Sequence, residues 1–534
     1  LEILGNRSVF WANAGTTLAD AESFTLFDPA RVRLATRDGR QFELEKGVGV
    51  TRLVDANGNA VTFDAGAITH SAGATIALER DGEGRITRIV DPEGDDLVYG
   101  YDAAGDLVAF TDRAGATATY GYLPDHYLEE IHDPLGRTPI RNEYGPDGRL
   151  ERHVDAFGRE IVYDHRIDER REIVTNRLGA SKILDYDERG NVTREEDETG
   201  VVTVRTFDGD DQLLSETVGD LPPTVYAYDG QRNLTTVTDP LGNATRFTYD
   251  SRGNVLTTQD PRGYTTSNAY DARGNLLQTT DAAGNLTAYA YDARGNLVGE
   301  TDPLGRTTSY AYDGRGNLLS ESDPAGNVAT HTYDSRGNRL TETRSRTRAD
   351  GTAETLVTRF AYDAEGRLVS TTAPDGAVTG SEYDLLGRIT ASVDPLGRRT
   401  EMTYDALGRL TVTLHPDGST DESEYDAEGR RTLTRDQGGR ETTFEYDAAG
   451  RPTATIHPDG ARAEQSYDGA GRLETTTDPR NQVTTFAYDA AGRRTTITDA
   501  LGHVTSFGYD AAGNPTTVTD ALGRTTTTIY DALG

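Results

Sequence analysis

A tyrosine-aspartate pair returns every 21 residues. Tyr228-Asp229, Tyr249-Asp250, Tyr270-Asp271, Tyr291-Asp292 and Tyr312-Asp313 hold that spacing to Tyr333, and it resumes from Tyr362 through Tyr404-Asp405 and Tyr488-Asp489 to Tyr530. A fixed period over hundreds of residues means one small unit copied many times, each copy stabilised against its neighbours. Inside the period a second turn follows the first: Asp292-Ala293-Arg294-Gly295-Asn296 is echoed by Asp302-Pro303-Leu304-Gly305-Arg306. Aspartate suits the first position of a type I turn and proline fixes φ at the second. Glycine, as at Gly295 and Gly316, supplies the left-handed residue that closes a hairpin with a bulge. Between turns lie six or seven residues rich in Thr, Tyr, Val and Leu, such as Thr307 to Tyr312, suited to strands and too short for helices. The pattern predicts an all-β chain, an antiparallel meander of about two strands per 21-residue unit.

Composition alone points elsewhere, because 35% hydrophobic residues, 58 glycines and a net charge of −34 lie near the disordered class. Disorder does not require an aromatic at one fixed phase. The residue two before the repeated tyrosine is often aromatic too, as at Tyr226, Phe247, Tyr289, Tyr310, Phe360, Phe444, Phe486 and Phe507. Side chains two apart on a strand share a face, so the sequence predicts paired aromatic columns across the sheet. Low hydrophobicity then fits a single layer wetted on both sides, held by backbone ladders and cross-strand pairs.

The register divides the chain. Residues 226–534 are regular, with one longer unit between Tyr333 and Tyr362 that carries Arg344, Arg346 and Arg348 and reads as a longer loop. Residues 28–225 keep the turns but not the spacing, and 1–27, with Trp11, lack the pattern and read as a lead-in or end cap. The chain starts on Leu1 and stops within the turn Tyr530-Asp531-Ala532-Leu533-Gly534, which reads as a segment of a longer polypeptide. No apolar run approaches the ~20 residues that span a bilayer.

Chemistry-bearing patterns are sparse, and no catalytic, cofactor-binding or metal-binding residue is expected. There are no cysteines, hence no disulfides or thiolate sites. His415-Pro416-Asp417-Gly418 and His457-Pro458-Asp459-Gly460 read as turn variants, and His126 and His132, flanking Glu129 and Glu130, lack the helical spacing of a zinc site. Asp-x-x-Gly does not offer the alternating oxygens of a calcium loop, and an aspartate capping its own turn explains it better. Sugar stacking on the aromatic columns is the rival to simple cross-strand packing. With 88 acids against 54 bases, nucleic acid is disfavoured as a direct partner and a basic protein is easier.

Units such as YDARGNLLQTTDAAGNLTAYAYD and YDALGRLTVTLHPDGSTDESEYD resemble the RHS or YD-repeat family, which includes bacterial Rhs proteins, C components of insecticidal toxin complexes, wall-associated proteins and teneurins. The resemblance covers nearly the whole chain from about Asp28. It implies a strip of antiparallel strands spiralling into a hollow shell, secreted or at the cell surface, often around a C-terminal toxic polypeptide. About 24 units at ~4.8 Å per strand make a strip roughly 230 Å long, and strongly twisted sheets of that size curl. The aspartyl autoprotease region of the toxin-bearing relatives has no counterpart here, so the resemblance places it, with any plug and toxin, after Gly534. The expected function is a non-catalytic shell segment enclosing a toxic cargo, whose partner is that polypeptide or flanking domains of the same parent. The alternative is an adhesive or structural surface platform that binds a glycan or protein.

Overall fold

The computed structural model describes residues 30–347 and 352–534, and before them the backbone of three short strands, Glu2–Ile3, Val9–Ala12 and Thr17–Asp20. Most of the expected N-terminal cap, Trp11's side chain and Arg348 lie outside the described residues. From Arg31 onward the strands follow one another in space as they do in sequence, each antiparallel to the next. With Glu2–Ile3, which pairs with Arg31–Ala35, they make a 49-stranded sheet. The only helical pieces among the described residues are two single turns, Pro124–His126 and Ile167–Glu169.

Each turn is built as its residues dictate. Asp292 N donates to Asn296 O at 3.0 Å, and Gly295 N donates back to Asp292 O at 3.2 Å. The Asp292 carboxylate accepts from Arg294 N at 2.8 Å and Asn296 N at 2.9 Å, which satisfies both of its own turn's amides. The bulge follows: Tyr291 pairs with Leu297 and Ala290 with Gly299, so one residue of the returning strand is skipped.

One face of the strip is wetter than the other. In Thr307–Tyr312 and Val483–Tyr488 exposure alternates residue by residue, with the repeated tyrosine on the half-buried face. The buried apolar residues among those described are Ala60, Ala116, Val154, Ala391 and Ala454, and no large side chain is completely enclosed. A single layer leaves no room for an oily interior, so backbone ladders and cross-strand pairs hold it.

The longer unit differs from its expectation. Its extra residues lengthen two paired strands, Arg339–Thr347 and Ala353–Tyr362, and do not form a long loop; only the tip at 348–351 lies outside the described residues. Arg344 and Arg346 sit on that hairpin, pairing across to Leu356 and Glu354.

The chain divides into two compact units, each drawn from separated stretches. One comprises Leu1–Tyr99, Tyr249–Leu256 and Ser267–Phe360; the other comprises Gly100–Thr248, Thr257–Thr266 and Ala361–Gly534.

Candidate functional site

Because strands alternate in direction, the two turns of each repeat fall on opposite edges of the strip. The tyrosine-aspartate turns make one edge. Tyr228, Tyr249, Tyr270, Tyr291, Tyr312, Tyr404 and Tyr488 each end a strand there, and Asp229, Asp250, Asp271, Asp292, Asp313, Asp405 and Asp489 each open the turn that follows. Gly295 and Gly316 close two of these turns in the left-handed region. The other edge carries the Asp-Pro type of turn.

The repeated tyrosine has a specific task. Its hydroxyl donates to the carbonyl that starts the preceding repeat's first strand: Tyr228 to Leu213, Tyr270 to Val255, Tyr404 to Ile389, Tyr425 to Leu410 and Tyr488 to Leu473, at 2.7–3.1 Å. From Asp363 onward an arginine closes most of these turns and links three groups. Arg409 Nε pairs with Asp405 at 2.6 Å, its Nη1 donates to the Asp426 carbonyl of the next turn at 2.9 Å, and its guanidinium lies 4.9 Å from the Tyr425 ring centre. Arg430 and Arg472 repeat all three contacts, on Tyr446 and Tyr488. The aromatic columns are therefore interleaved with guanidinium groups; among the described residues the rings of Tyr404, Tyr425, Tyr446 and Tyr488 stack on no other ring. In the earlier regular repeats asparagine holds the closing position, as Asn296 does on Asp292, and the arginine two residues before it reaches onward, Arg273 to the Ala293 carbonyl and Arg315 to that of Ser335. The switch from Asp-x-Arg-Gly-Asn to Asp-x-x-Gly-Arg is visible in the sequence and was the unread signal for this ladder.

Replacing Tyr425 tests the ladder. Tyr425→Phe should cost about 1 kcal/mol, the net worth of one hydrogen bond, and Tyr425→Ala about 2–3 kcal/mol through lost packing and the arginine stack. Urea unfolding of the two variants reads both values, and equal losses would mean that the ring contributes nothing.

In each unit the Asp-Pro edge of an early stretch seats on the Tyr-Asp edge of a much later one. In the unit containing Ser267–Phe360, Arg37 donates to the carbonyls of Ser251 and Asp250 at 2.9 and 3.2 Å, Asn59 donates to the Arg294 carbonyl at 2.9 Å, and Arg336 pairs with Asp91 at 3.3 Å and also with Asp95. In the unit containing Ala361–Gly534 three of the contacts share one form. Arg137 Nη1 donates to the Asp405 carbonyl, Arg159 Nη1 to that of Asp426 and Arg262 Nη1 to that of Asp531, each at 3.0 Å and across 268, 267 and 269 residues. Arg177 N adds a bond to Glu428 at 2.6 Å.

Other clusters do not converge on a site. His126 bonds Asp106 at 2.7 Å, which raises its pKa, while His132 bonds Glu130 at 3.0 Å, so the two histidines take separate partners. His415 and His457 open turns, and His415 bonds Asp421 at 2.7 Å. Among the described residues no group of three or more His, Asp or Glu is arranged to hold a metal ion. Strand acids occupy both faces. Glu300, Glu321 and Glu342 stand opposite Tyr289, Tyr310 and His331 on the tyrosine face. Glu401, Glu422 and Glu464 lie on the other, where Arg399, Arg435 and Arg462 neutralise them.

The model of the RHS Repeat family matches residues 228–265, 270–307, 291–328, 312–353, 333–378, 383–420, 425–462, 467–504 and 509–534, more than half of the chain. Among solved structures the fold is similar to that of a crystal structure of TcdB2-TccC3, with a TM-score of 0.56 at 14% identity over 95% of this chain and 35% of that one. It is also similar to TcdB2-TccC3-TEV, at 0.52, 17%, 91% and 28%, and to TcdB2-TccC3 without its hypervariable C-terminal region, at 0.51, 17%, 89% and 27%. This chain thus spans about a third of the length of the chains it matches.

Proposed function

Since the chain belongs to the RHS repeat family, we propose that it is a non-catalytic wall segment of a larger secreted or surface YD-repeat protein, one that encloses a toxic polypeptide of the same parent for delivery. The observation that carries the reading is the seam: in both units distant stretches of the strip meet edge to edge through arginine-to-carbonyl bonds, as a wall that confines a guest requires. The mechanism is confinement. A guest held behind the wall cannot fold productively or reach its target until the wall opens.

Two further features support it. The fold is shared with TcdB2-TccC3, solved both with and without a hypervariable C-terminal region, which fits a constant wall with exchangeable contents. The net charge of −34, with acids on the tyrosine face as well as the other, favours a basic guest over nucleic acid.

Limited proteolysis of the parent protein tests the reading. Polypeptide attached beyond this segment should resist protease while the seam is intact and become sensitive in an Arg137→Glu, Arg159→Glu variant. Digestion at one rate in both proteins would remove the cargo reading and leave the surface platform.

A further inference from the structure

In the unit containing Ala361–Gly534 the seam has a gap. Before it Gly219 lies against the Gly469–Ala470 backbone, and after it Arg262 pairs with Asp510 at 3.5 Å and donates to the Asp531 carbonyl. Between them, among the described residues, the Asp239-Pro240-Leu241-Gly242-Asn243 turn makes no hydrogen bond to the opposite edge. A cleft of about 400 Å³ separates it from the turns that open at Asp489 and Asp510. Both banks carry short side chains. Asn243 stands where Arg137 and Arg159 close their turns, and Ala491 and Ala512 stand where Leu407 and Glu428 do.

What the gap lacks is shown by a closed turn of the same seam. Asn243 precedes Asp510 by the same 267 residues that separate Arg159 from Asp426. The Asp426 carbonyl accepts three donors, Gly429 N at 3.2 Å, Arg409 Nη1 at 2.9 Å and Arg159 Nη1 at 3.0 Å. The Asp510 carbonyl accepts two, Gly513 N at 3.1 Å and Arg493 Nη1 at 3.0 Å. Asn243 commits its amide to Asp239 at 2.9 Å and reaches no further. Charge is unbalanced in the same way. Asp489 holds Arg493 at 2.7 Å and Asp510 faces Arg262, whereas among the described residues Asp239 bonds only Asn243 and the amides of its own turn. A carbonyl with a position to spare and a carboxylate without a cation are the two groups that a seam arginine joins. Arg137 does so elsewhere, pairing with Asp133 at 2.7 Å while donating to the Asp405 carbonyl at 3.0 Å.

We propose that this cleft is a socket for an arginine side chain of a polypeptide outside this segment, which donates to the Asp510 carbonyl and pairs with Asp239. The planar fork of a guanidinium serves both acceptors at once, whereas a lysine ammonium is a compact, strongly hydrated point charge. Val237, Pro240 and Pro261 line the cleft with apolar surface suited to the methylene stem. Arg493 in the wall is no obstacle, since Arg409 and Arg159 share the Asp426 carbonyl in the closed turn. The socket fits any arginine-bearing polypeptide and does not rest on the cargo reading.

Ligand-observed NMR titration of the 534-residue chain with N-acetyl-arginine amide tests it, with N-acetyl-lysine amide and guanidinium chloride compared at one ionic strength. The arginine derivative should bind about tenfold more tightly than either. Asn243→Arg supplies the missing side chain from within the chain, and should abolish that binding and raise the urea midpoint. Ala512→Leu narrows the cleft from its other bank, and should abolish binding with an unchanged circular dichroism melt. Equal affinity for the lysine derivative overturns recognition of the fork, and equal affinity for guanidinium overturns a side chain as the occupant. A chain that binds none of the three while Asn243→Arg still raises the midpoint has a packing defect and no socket. Binding that survives in both variants lies elsewhere and overturns the proposal.

Discussion

Acidification should unfold this protein between about pH 4 and pH 2, with the β-sheet circular dichroism signal lost over that interval. The cause is the turn aspartate, repeated in nearly every hairpin. A side-chain bond from Asn191, joined by backbone amides, holds Asp187 down to about 2, against the usual 3.8. Bonds from Asn296, Arg398 and Arg524 likewise hold Asp292, Asp394 and Asp520 below that value. At Asp405 burial, which alone would raise the pKa, is outweighed by its bonds from Arg409. A carboxyl whose folded pKa lies below its unfolded value stabilises the fold fully above the unfolded value. That stability is lost as pH falls through the folded value. Each exposed turn contributes little alone; the size of the effect comes from the number of copies titrating over one window. Protonation also leaves 54 Lys and Arg residues uncompensated, adding self-repulsion. One buried and one half-buried histidine start the decline earlier: desolvation lowers the pKa of His331 and His153, so protonation below about 6.5 favours the unfolded chain. A sheet signal that persists unchanged to pH 2 would show that the turn carboxylates do not hold the fold.

Gly295→Val should destabilise by roughly 3 kcal/mol or more, well beyond Arg294→Ala in the same turn. Two separate causes add. Gly295 has φ of +86°, where a β-branched residue is strained, and a Cβ built there would collide with the Asn57 side-chain amide. That asparagine belongs to the seam, since Asn57 and Asn275 exchange side-chain bonds and neighbouring Asn59 donates to the Arg294 carbonyl. The valine thus strains its own turn and pushes apart two stretches over 200 residues distant in sequence. Arg294→Ala is not a neutral trim either, because Arg294 donates to the Gly314 carbonyl of the next repeat. Its expected cost is about 1 kcal/mol. Urea unfolding of the two variants distinguishes them, and equal midpoints would contradict the left-handed turn.

What could be read from the sequence was whatever fits inside 21 residues. The strands, the Asp-x-x-Gly turns, their self-capping aspartates and the shared tyrosine face depend on contacts between near neighbours, so one unit encodes them and the others repeat the message. The arginine ladder is equally local, since Arg409 reaches only to its own turn and the next, and its mark in the sequence is the arginine that replaces asparagine as the residue after the turn glycine. The long unit was misjudged because its added residues continue the pairing of Arg339–Thr347 with Ala353–Tyr362, and a change in spacing alone does not separate longer strands from a longer loop.

The seam was decided by the tertiary structure alone. Arg137, Arg306 and Arg398 occupy the same motif position, yet Arg137 meets Asp405 while Arg306 and Arg398 bond only their own turns. Which turn lies beside which depends on small rotations between adjacent strands, each ~20° and variable, summed over about twelve repeats. No residue within one period records that sum. The sequence by itself determined a repeating strip and the chemistry of both its edges; only the accumulated twist decided that the edges meet after 213–245 residues in one unit and 251–269 in the other, and which turns lie in the seam.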